Sequence, residues 1–126
     1  MIINELNVET IREYCIQKPF TTEEFPFDDV TLIFKVGGKM FAMIPLDEPR
    51  LVISLKCSPE RSVELREKYD SIQPAYHMNK RHWNMIFIDG SVPKKLIVEL
   101  IDHSYDLVFN KLPRKKQSEL KNDQLL

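Results

Sequence analysis

The sequence has little of several things that common classes of protein need. Its 126 residues include only three glycines, and its longest apolar runs, such as Met85–Ile88, are no longer than a strand. A membrane-spanning helix needs roughly 20 apolar residues, so we expect none. The scarcity of glycine also argues against a glycine-rich loop that would cradle phosphate groups. No internal repeat or low-complexity tract is present.

Signals for export and for disulfide bonding are missing as well. The first five residues, Met1–Glu5, contain no basic segment and no small-residue cleavage site. The two cysteines, Cys15 and Cys57, lie far apart in the chain, which favours reduced thiols over a disulfide framework. We therefore expect a cytoplasmic protein.

The net charge of the chain is −1, which is close to zero. The net charge therefore gives no indication of a polyanionic partner. The charges are unevenly distributed, however. Residues 1–30 carry two basic and seven acidic side chains, whereas residues 111–126 carry five basic and two acidic ones. Such asymmetry can orient a partner during association, but a solvated surface with a frayed terminus explains the same pattern.

The sequence does contain enough apolar residues for one globular domain. The apolar fraction is 43% and the charged fraction is 29%, which is typical of a folded protein. A length of 126 residues suits one domain better than two. We predict a single domain over residues 1–113, followed by a charged, mobile tail over residues 114–126.

Periodicity and turn residues divide the domain into three helices and four strands. Asn7 is a good N-cap, and Ser58 followed by Pro59 is a strong helix start. Strands are predicted where β-branched and aromatic residues alternate with polar ones. The helices are predicted over 7–17, 58–69 and 91–112, the strands over 31–36, 39–45, 51–57 and 82–88, and irregular chain over 19–29 and 70–81.

Gly37-Gly38 predicts a two-residue hairpin turn, because this turn needs positive φ angles that glycine adopts readily. In the simplest register, Phe34 lies opposite Phe41 and Leu32 lies opposite Met43. These pairs would form the core face of the hairpin.

The predicted order, α-β-β-β-α-β-α, indicates an α+β fold. We expect a two-layer sandwich with helices mainly on one face of an antiparallel sheet. The sheet would contain a meander of three strands plus one or more further strands. A doubly wound nucleotide-binding fold is not expected, because no strand–helix–strand series with a glycine-rich crossover is present.

Four stretches of the sequence resemble a known family. They are Phe34–Ala42, Leu55–Glu60, His77–Asn84 and Ser104–Val108 followed by Leu112-Pro113. Together with Glu24 and Pro26-Phe27 upstream, they resemble the MmcQ/YjbR-like proteins of bacteria over roughly residues 9–113. One departure is Ala75, which stands where glycine is common in the family.

The resemblance implies a compact two-layer α/β sandwich whose hairpins are described as a double wing. Similarity to wing-type DNA-binding domains implies DNA binding, and similarity to the secretion-chaperone fold implies binding of protein segments. Both implications are analogies at the level of the fold. The positions that match the family's motifs are Gly37, Gly38, Lys39, Phe41, Lys56, Pro59, His77, Asn79, His82, Trp83, Ser104 and Tyr105.

The stretch His77–Asn84 combines two basic residues, two histidines, two asparagines and the single tryptophan. A nucleic-acid site would place Lys80 and Arg81 on phosphates and use Trp83 for stacking. Alternatively, Trp83 packs in the core or an interface as the chain enters a strand, and the two basic residues are simply exposed. The sequence leaves both interpretations open.

Lys35, Lys39 and Lys56 form a second candidate group for nucleic-acid binding. The first two flank the predicted hairpin turn, where a wing tip would present them, and Lys56 ends a neighbouring strand. Together with Lys80 and Arg81 they would form one modest basic face, and five contacts predict weak, strongly salt-sensitive binding. Lysines at such places also protect a sheet against edge-to-edge pairing.

Metal binding and nucleophilic catalysis find less support. His77 and His82 lie five residues apart across a predicted loop, whereas zinc would need at least three closely spaced ligands. Cys57 precedes a helix cap, but it lies on the apolar phase of its strand, which favours a buried structural thiol. We expect no metal, no cofactor, no catalytic residue and no enzymatic activity.

The sequence therefore leads to two hypotheses about function. The first is a small non-enzymatic binding protein with nucleic acid as its ligand, and the second is a protein-interaction adaptor or chaperone-like module. The adaptor would use the acidic 19–29 segment and the exposed sheet face. Expected partners are nucleic acid or another protein but no membrane, and we expect a monomer or a weak dimer.

Overall fold

The structure is a computed structural model that describes residues 5–125 and the side chains of residues 5–122. Residues 1–4 of the predicted domain and Leu126 of the predicted tail lie outside the described residues. The elements in the described part are α1 (Val8–Ile16), β1 (Thr21–Glu24), β2 (Thr31–Val36), β3 (Lys39–Pro45), β4 (Val52–Lys56), α2 (Pro59–Lys68), β5 (Ile72–Pro74), β6 (Trp83–Phe87), α3 (Lys94–Lys111) and α4 (Arg114–Leu125).

The strands form one antiparallel sheet in the order β1-β2-β3-β4-β6-β5. Helices α1, α2 and α3 supply apolar side chains to one continuous core against a single face of the sheet. The largest fully buried side chains of this core are Phe34, Phe41, Ile11, Ile44, Ile53, Leu55, Ile72, Ile86, Ile97 and Ile101. The predicted α+β class, with helices mainly on one face, is confirmed.

Two short strands occupy segments that were predicted to be irregular. β1 lies within residues 19–29 and pairs with β2, while β5 lies within residues 70–81 and pairs with β6. Both are edge strands with little apolar alternation: β1 is Thr-Thr-Glu-Glu, and β5 has only three residues. These two segments become strands because they pair with β2 and β6, and their own sequences give no clear strand signal.

The predicted register of the β2–β3 hairpin is wrong by one residue. Gly37 and Gly38 do form the two-residue turn, with φ of 59° and 80°. A register shift between Phe34 and Lys35 then adds one residue to β3, so that Phe34 lies opposite Ala42 instead of Phe41. By the same shift, the residue opposite Leu32 is Ile44, and Met43 faces the side of the sheet away from the helices. Such bulges bend a strand and re-aim its side chains.

The charged segment after Pro113 is helical. It was expected as a tail, but Arg114–Leu125 form α4, in a sequence rich in good helix formers such as Lys, Gln, Glu and Leu. The Gln117 amide donates to Leu112 O at 2.8 Å and joins α4 to the end of α3. This contact places the basic first turn of α4 directly after the C-terminus of α3.

Candidate functional site

Ser104 separates β3 from β4 at one end of the sheet. The β3–β4 ladder pairs Ala42 with Leu55, and its continuation would place Phe41 opposite Lys56. The fully buried Ser104 hydroxyl on α3 takes this place, donating to Phe41 O at 2.5 Å and accepting from Lys56 N–H at 2.9 Å. A side chain thus satisfies both backbone groups, and the β3–β4 pairing of the described residues ends there.

A pocket of about 410 Å³ opens where the two strands separate. Its walls include Lys39 at the start of β3, Lys56 at the end of β4, Trp83 at the start of β6 and Lys111 in the last turn of α3. We call these four residues the lysine pocket. The remaining lining residues are Met40, Val108, Leu112 and Pro113.

The lysine pocket carries unbalanced positive charge. Lys39, Lys56 and Lys111 form no ion pair in the described part of the chain, whose ion pairs lie elsewhere. Partial burial lowers the pKa of Lys56, and the positive charge of Lys111 lowers it further. A bound anion would offset both effects, because it would supply the counter-charge that the protein does not.

The tip of the β2–β3 hairpin is packed against the end of α3, and this contact fixes one wall of the pocket. Gly37 lies so close to Leu112 that a Cβ added to it would be 2.6 Å from Leu112 Cδ1. At Gly38, by contrast, an added Cβ would meet no atom within 4 Å. Lys39, two residues after Gly37, lines the same pocket as Lys111 at the end of α3.

The structure brings together two of the five predicted nucleic-acid-binding residues, Lys39 and Lys56. The other three lie apart from the pocket. Lys35 Nζ is 3.6 Å from Glu24 Oε2, and Lys80 Nζ lies 5.3 Å from the centre of the Tyr76 ring. Arg81 lies beside the first turns of α2, with Pro59, Glu60, Val63 and Arg66. The predicted face of five cations is therefore divided.

Lys111 was not among the residues predicted from the sequence, although a basic residue in the last turn of a helix is a recognisable feature. Its spatial partners, Lys39 and Lys56, lie more than fifty residues away in the sequence, so no local pattern joins the three. The basic residues that begin α4, Arg114, Lys115 and Lys116, were assigned to the tail but directly follow Pro113 at the pocket wall.

Several family-motif residues hold the β5–β6 loop in place. Asn79 Oδ1 accepts from Arg81 N–H at 3.0 Å, and Asn79 O accepts from Trp83 N–H at 2.9 Å. His82 O accepts from Cys57 N–H at 2.8 Å, which extends the contact between the β4 and β6 ends. Trp83 is thereby fixed at the start of β6, where it is half-buried and lines the pocket.

Other motif residues belong to the framework around the helices. The Tyr105 hydroxyl donates to Pro19 O at 2.6 Å, and its ring contacts Phe41 edge-on with centroids 5.3 Å apart. Burial raises the pKa of Tyr105 to about 12. Pro59 occupies the first turn of α2, as the sequence predicts. Tyr105 thus joins α3 to β3 and to the chain that follows α1.

A second concavity of about 490 Å³ lies on the sheet face opposite the helices, and we call it the open-face groove. Its floor comes from strand residues such as Met43, Val52, Met85 and Phe87. Its remaining lining residues are Thr31, Pro45, Asp47, Glu48, Arg50, Ser54, Tyr76 and His77. Of the family-motif residues, His77 lines this groove.

Metal centres and membrane spans have no counterpart in the described residues. No group of three or more His, Cys, Asp or Glu side chains there is placed to hold a metal ion. None of the helices in that part combines the length and the apolar character of a membrane span. Cys15 and Cys57 are free and buried, and burial raises the pKa of the Cys15 thiol to about 12.

Comparison with known proteins places most of the chain in one family. The family model described as YjbR matches residues 16–107. The chain is 35% identical over 115 residues to the uncharacterized protein YjbR of Escherichia coli K12, covering 91% of this chain and 98% of that protein. It is 32% identical over 113 residues to the uncharacterized protein YbdF of Escherichia coli O157:H7, covering 90% and 93%.

Solved structures agree with this assignment. A crystal structure of a Deinococcus radiodurans protein superposes with a TM-score of 0.87 at 42% identity, covering 91% of this chain and 88% of that one. A Pseudomonas syringae protein gives a TM-score of 0.71 at 30% identity, covering 82% and 99%. The resemblance inferred from the motifs is confirmed, and the chain belongs to the YjbR family.

Proposed function

We propose that this protein is a non-enzymatic nucleic-acid-binding protein that contacts the phosphate backbone through the lysine pocket. One observation carries the proposal: Lys39, Lys56 and Lys111 converge on a concave surface without a carboxylate partner in the described residues. Unpaired cations that converge in this way attract anions, and nucleic acid is the polyanion that the family resemblance favours. A cytoplasmic location, with both cysteines reduced, is part of the proposal.

The number of cations sets the expected strength of binding. Three phosphate contacts give a slope of log K against log salt between about −2 and about −3. Raising the salt from about 50 mM to about 200 mM would then weaken binding by about 20- to 40-fold. Binding of this kind is weak and depends little on base sequence, because phosphate contacts position a nucleic acid without reading it.

The proposal is tested by removing two positive charges from the pocket and, in a separate variant, two positive charges from positions outside it. In the double variant Lys56→Gln/Lys111→Gln, we expect the salt slope to become shallower by about 1 for each lysine. The control is Lys68→Gln/Lys95→Gln, which gives the same net charge at two exposed positions outside the pocket. Fluorescence anisotropy of a labelled oligonucleotide provides the affinities. Equal losses in both variants, or no binding by the wild type at low salt, would rule out the pocket as the site.

The open-face groove favours a second candidate function, that of a protein-interaction adaptor. Besides its apolar floor, the neighbouring 25–30 segment exposes Phe25 at 47% and Phe27 at 75%, and such side chains are frequent at protein interfaces. The test is capture of partners from a nuclease-treated lysate with wild type, with Phe27→Ser and with Tyr76→Ser. An adaptor would hold the same partner in repeated captures and lose it in these variants, whereas capture of no protein by the wild type would count against the adaptor.

A further inference from the structure

We infer that the lysine pocket takes an unpaired nucleotide of a single strand, with its base against Trp83 and its phosphates on the lysines. This inference rests on the proposed function and specifies the ligand of the same site. Its basis is that the chain's single tryptophan lines the same pocket as three lysines that form no ion pair in the described part of the chain.

The register of the sheet fixes the indole beside a cation. Trp83 lies directly opposite Lys56 in the β4–β6 ladder, and directly opposed residues of an antiparallel pair are neighbours on the same face. Asn79 and His82 hold the chain on the N-terminal side of Trp83, so the ring does not depend on a mobile loop for its position. A base placed on the indole would bring its own phosphate within reach of Lys56.

Stacking of a base on the indole selects against a duplex. In a double helix the base faces are stacked and paired, and only the phosphates and the groove edges are presented outward. The indole forms part of the wall of a concave pocket, beside residues of the hairpin and of the end of α3. The face of a base that is already stacked in a duplex is not available to the indole. An unpaired base can enter, and stacking on an aromatic side chain is the usual way that proteins hold single strands without sequence preference.

The size of the site limits it to a small number of nucleotides. A volume of about 410 Å³ lies at the lower end of the range for small-molecule pockets, which suits one base with its sugar and phosphate. The neighbouring nucleotides would run over the surface. On one side they would meet the basic first turn of α4, Arg114, Lys115 and Lys116, which begins at the pocket wall.

The experiment compares three ligands by the fluorescence of Trp83, at low salt: an unstructured pyrimidine oligonucleotide, a duplex that contains it, and the matching nucleoside monophosphate. We expect the single strand to quench the fluorescence and to bind at least about tenfold more tightly than the duplex, because only the single strand adds base stacking. The monophosphate should bind much more weakly than the oligonucleotide, since it cannot contact all three lysines.

Two variants separate stacking from folding. Trp83→Leu should weaken the binding of a labelled single strand about tenfold, whereas Trp83→Phe, which keeps an aromatic ring, should retain most of the affinity. Tyr76→Leu is the matched control, because Tyr76 is 58% exposed at the open-face groove and should leave the affinity unchanged. Thermal unfolding of each variant shows whether it is folded at the temperature of the binding assay.

The outcomes distinguish this inference from the function on which it rests. Equal binding of single strand and duplex, with no effect of Trp83→Leu in a folded protein, overturns the inference and leaves the proposed function intact. Binding of neither nucleic acid overturns both. Saturable binding of the monophosphate alone also overturns the inference, because it identifies the pocket as a site for a small phosphorylated molecule.

Discussion

Replacing Ser104 with alanine is the sharpest test of how the site is built. The Ser104 hydroxyl is fully buried and serves two backbone groups, the carbonyl of Phe41 and the N–H of Lys56. In Ser104→Ala both groups lose their partner in a place where a strand neighbour cannot replace it. Each buried polar group left unsatisfied costs about 1–3 kcal/mol.

The expected loss of stability is the sum of these two effects less a small gain. Alanine is a better helix former than serine by about 0.5 kcal/mol, and position 104 lies within α3. We therefore expect Ser104→Ala to lower the free energy of unfolding by about 1.5–5.5 kcal/mol. Urea denaturation monitored by circular dichroism measures this difference in the free energy of unfolding. The dependence of that free energy on urea concentration shows whether the cooperativity of unfolding has changed.

Ser118→Ala serves as the control, because Ser118 is exposed on α4 and its change should leave stability within about 0.5 kcal/mol of wild type. A loss below about 0.5 kcal/mol in Ser104→Ala itself would refute the reasoning. It would mean that β3 and β4 close up and pair directly when the hydroxyl is removed, and that Ser104 does not hold the pocket open.

Two further predictions concern the hairpin and the α2–α3 contact. Gly37→Ala should lower stability by more than Gly38→Ala. Both glycines have positive φ, but only at Gly37 would the new Cβ also lie 2.6 Å from Leu112 Cδ1. Equal urea midpoints of the two variants would contradict this. His103 Nε2 accepts from Ser58 N–H at 3.3 Å, and burial, followed by the charge of Arg61, lowers the pKa of His103. The folded state thus favours neutral His103, so its contribution is complete above the unfolded pKa of about 6.5 and is lost as the pH falls through the lowered folded pKa. His103→Gln should flatten the fall in urea midpoint between about pH 7 and about pH 5, and an unchanged profile would refute the assignment.

The elements with strong periodicity could be predicted from the sequence. The Asn7 N-cap was correct: its side chain accepts from Thr10 N–H at 2.9 Å and completes a capping box. The long α3 and the Gly37-Gly38 turn were also located, because apolar spacing and positive-φ glycine are local features. The edge strands β1 and β5 were missed, because their place in the sheet depends on partners that lie elsewhere in the sequence.

The candidate site could be predicted only in part, because its residues also come together through contacts between distant parts of the sequence. Lys39 and Lys56 could be nominated from the hairpin and the strand end, but the bulge at Phe34 and Lys35 has no reliable signal in the sequence. Lys111 could not be joined to them without knowing that Leu112 packs on Gly37. The carboxylate partner of Lys35 lies on β1, a strand that was not predicted.

The most direct test of the central claim is a two-dimensional amide NMR titration of the wild-type protein with an unstructured single-stranded oligonucleotide at low salt. The lysine pocket predicts chemical-shift changes that centre on the amides of Lys39, Lys56, Trp83 and Lys111 and disappear when the salt is raised. Changes centred on Met43 and Met85 in the open-face groove, or no changes at any amide, would contradict the claim.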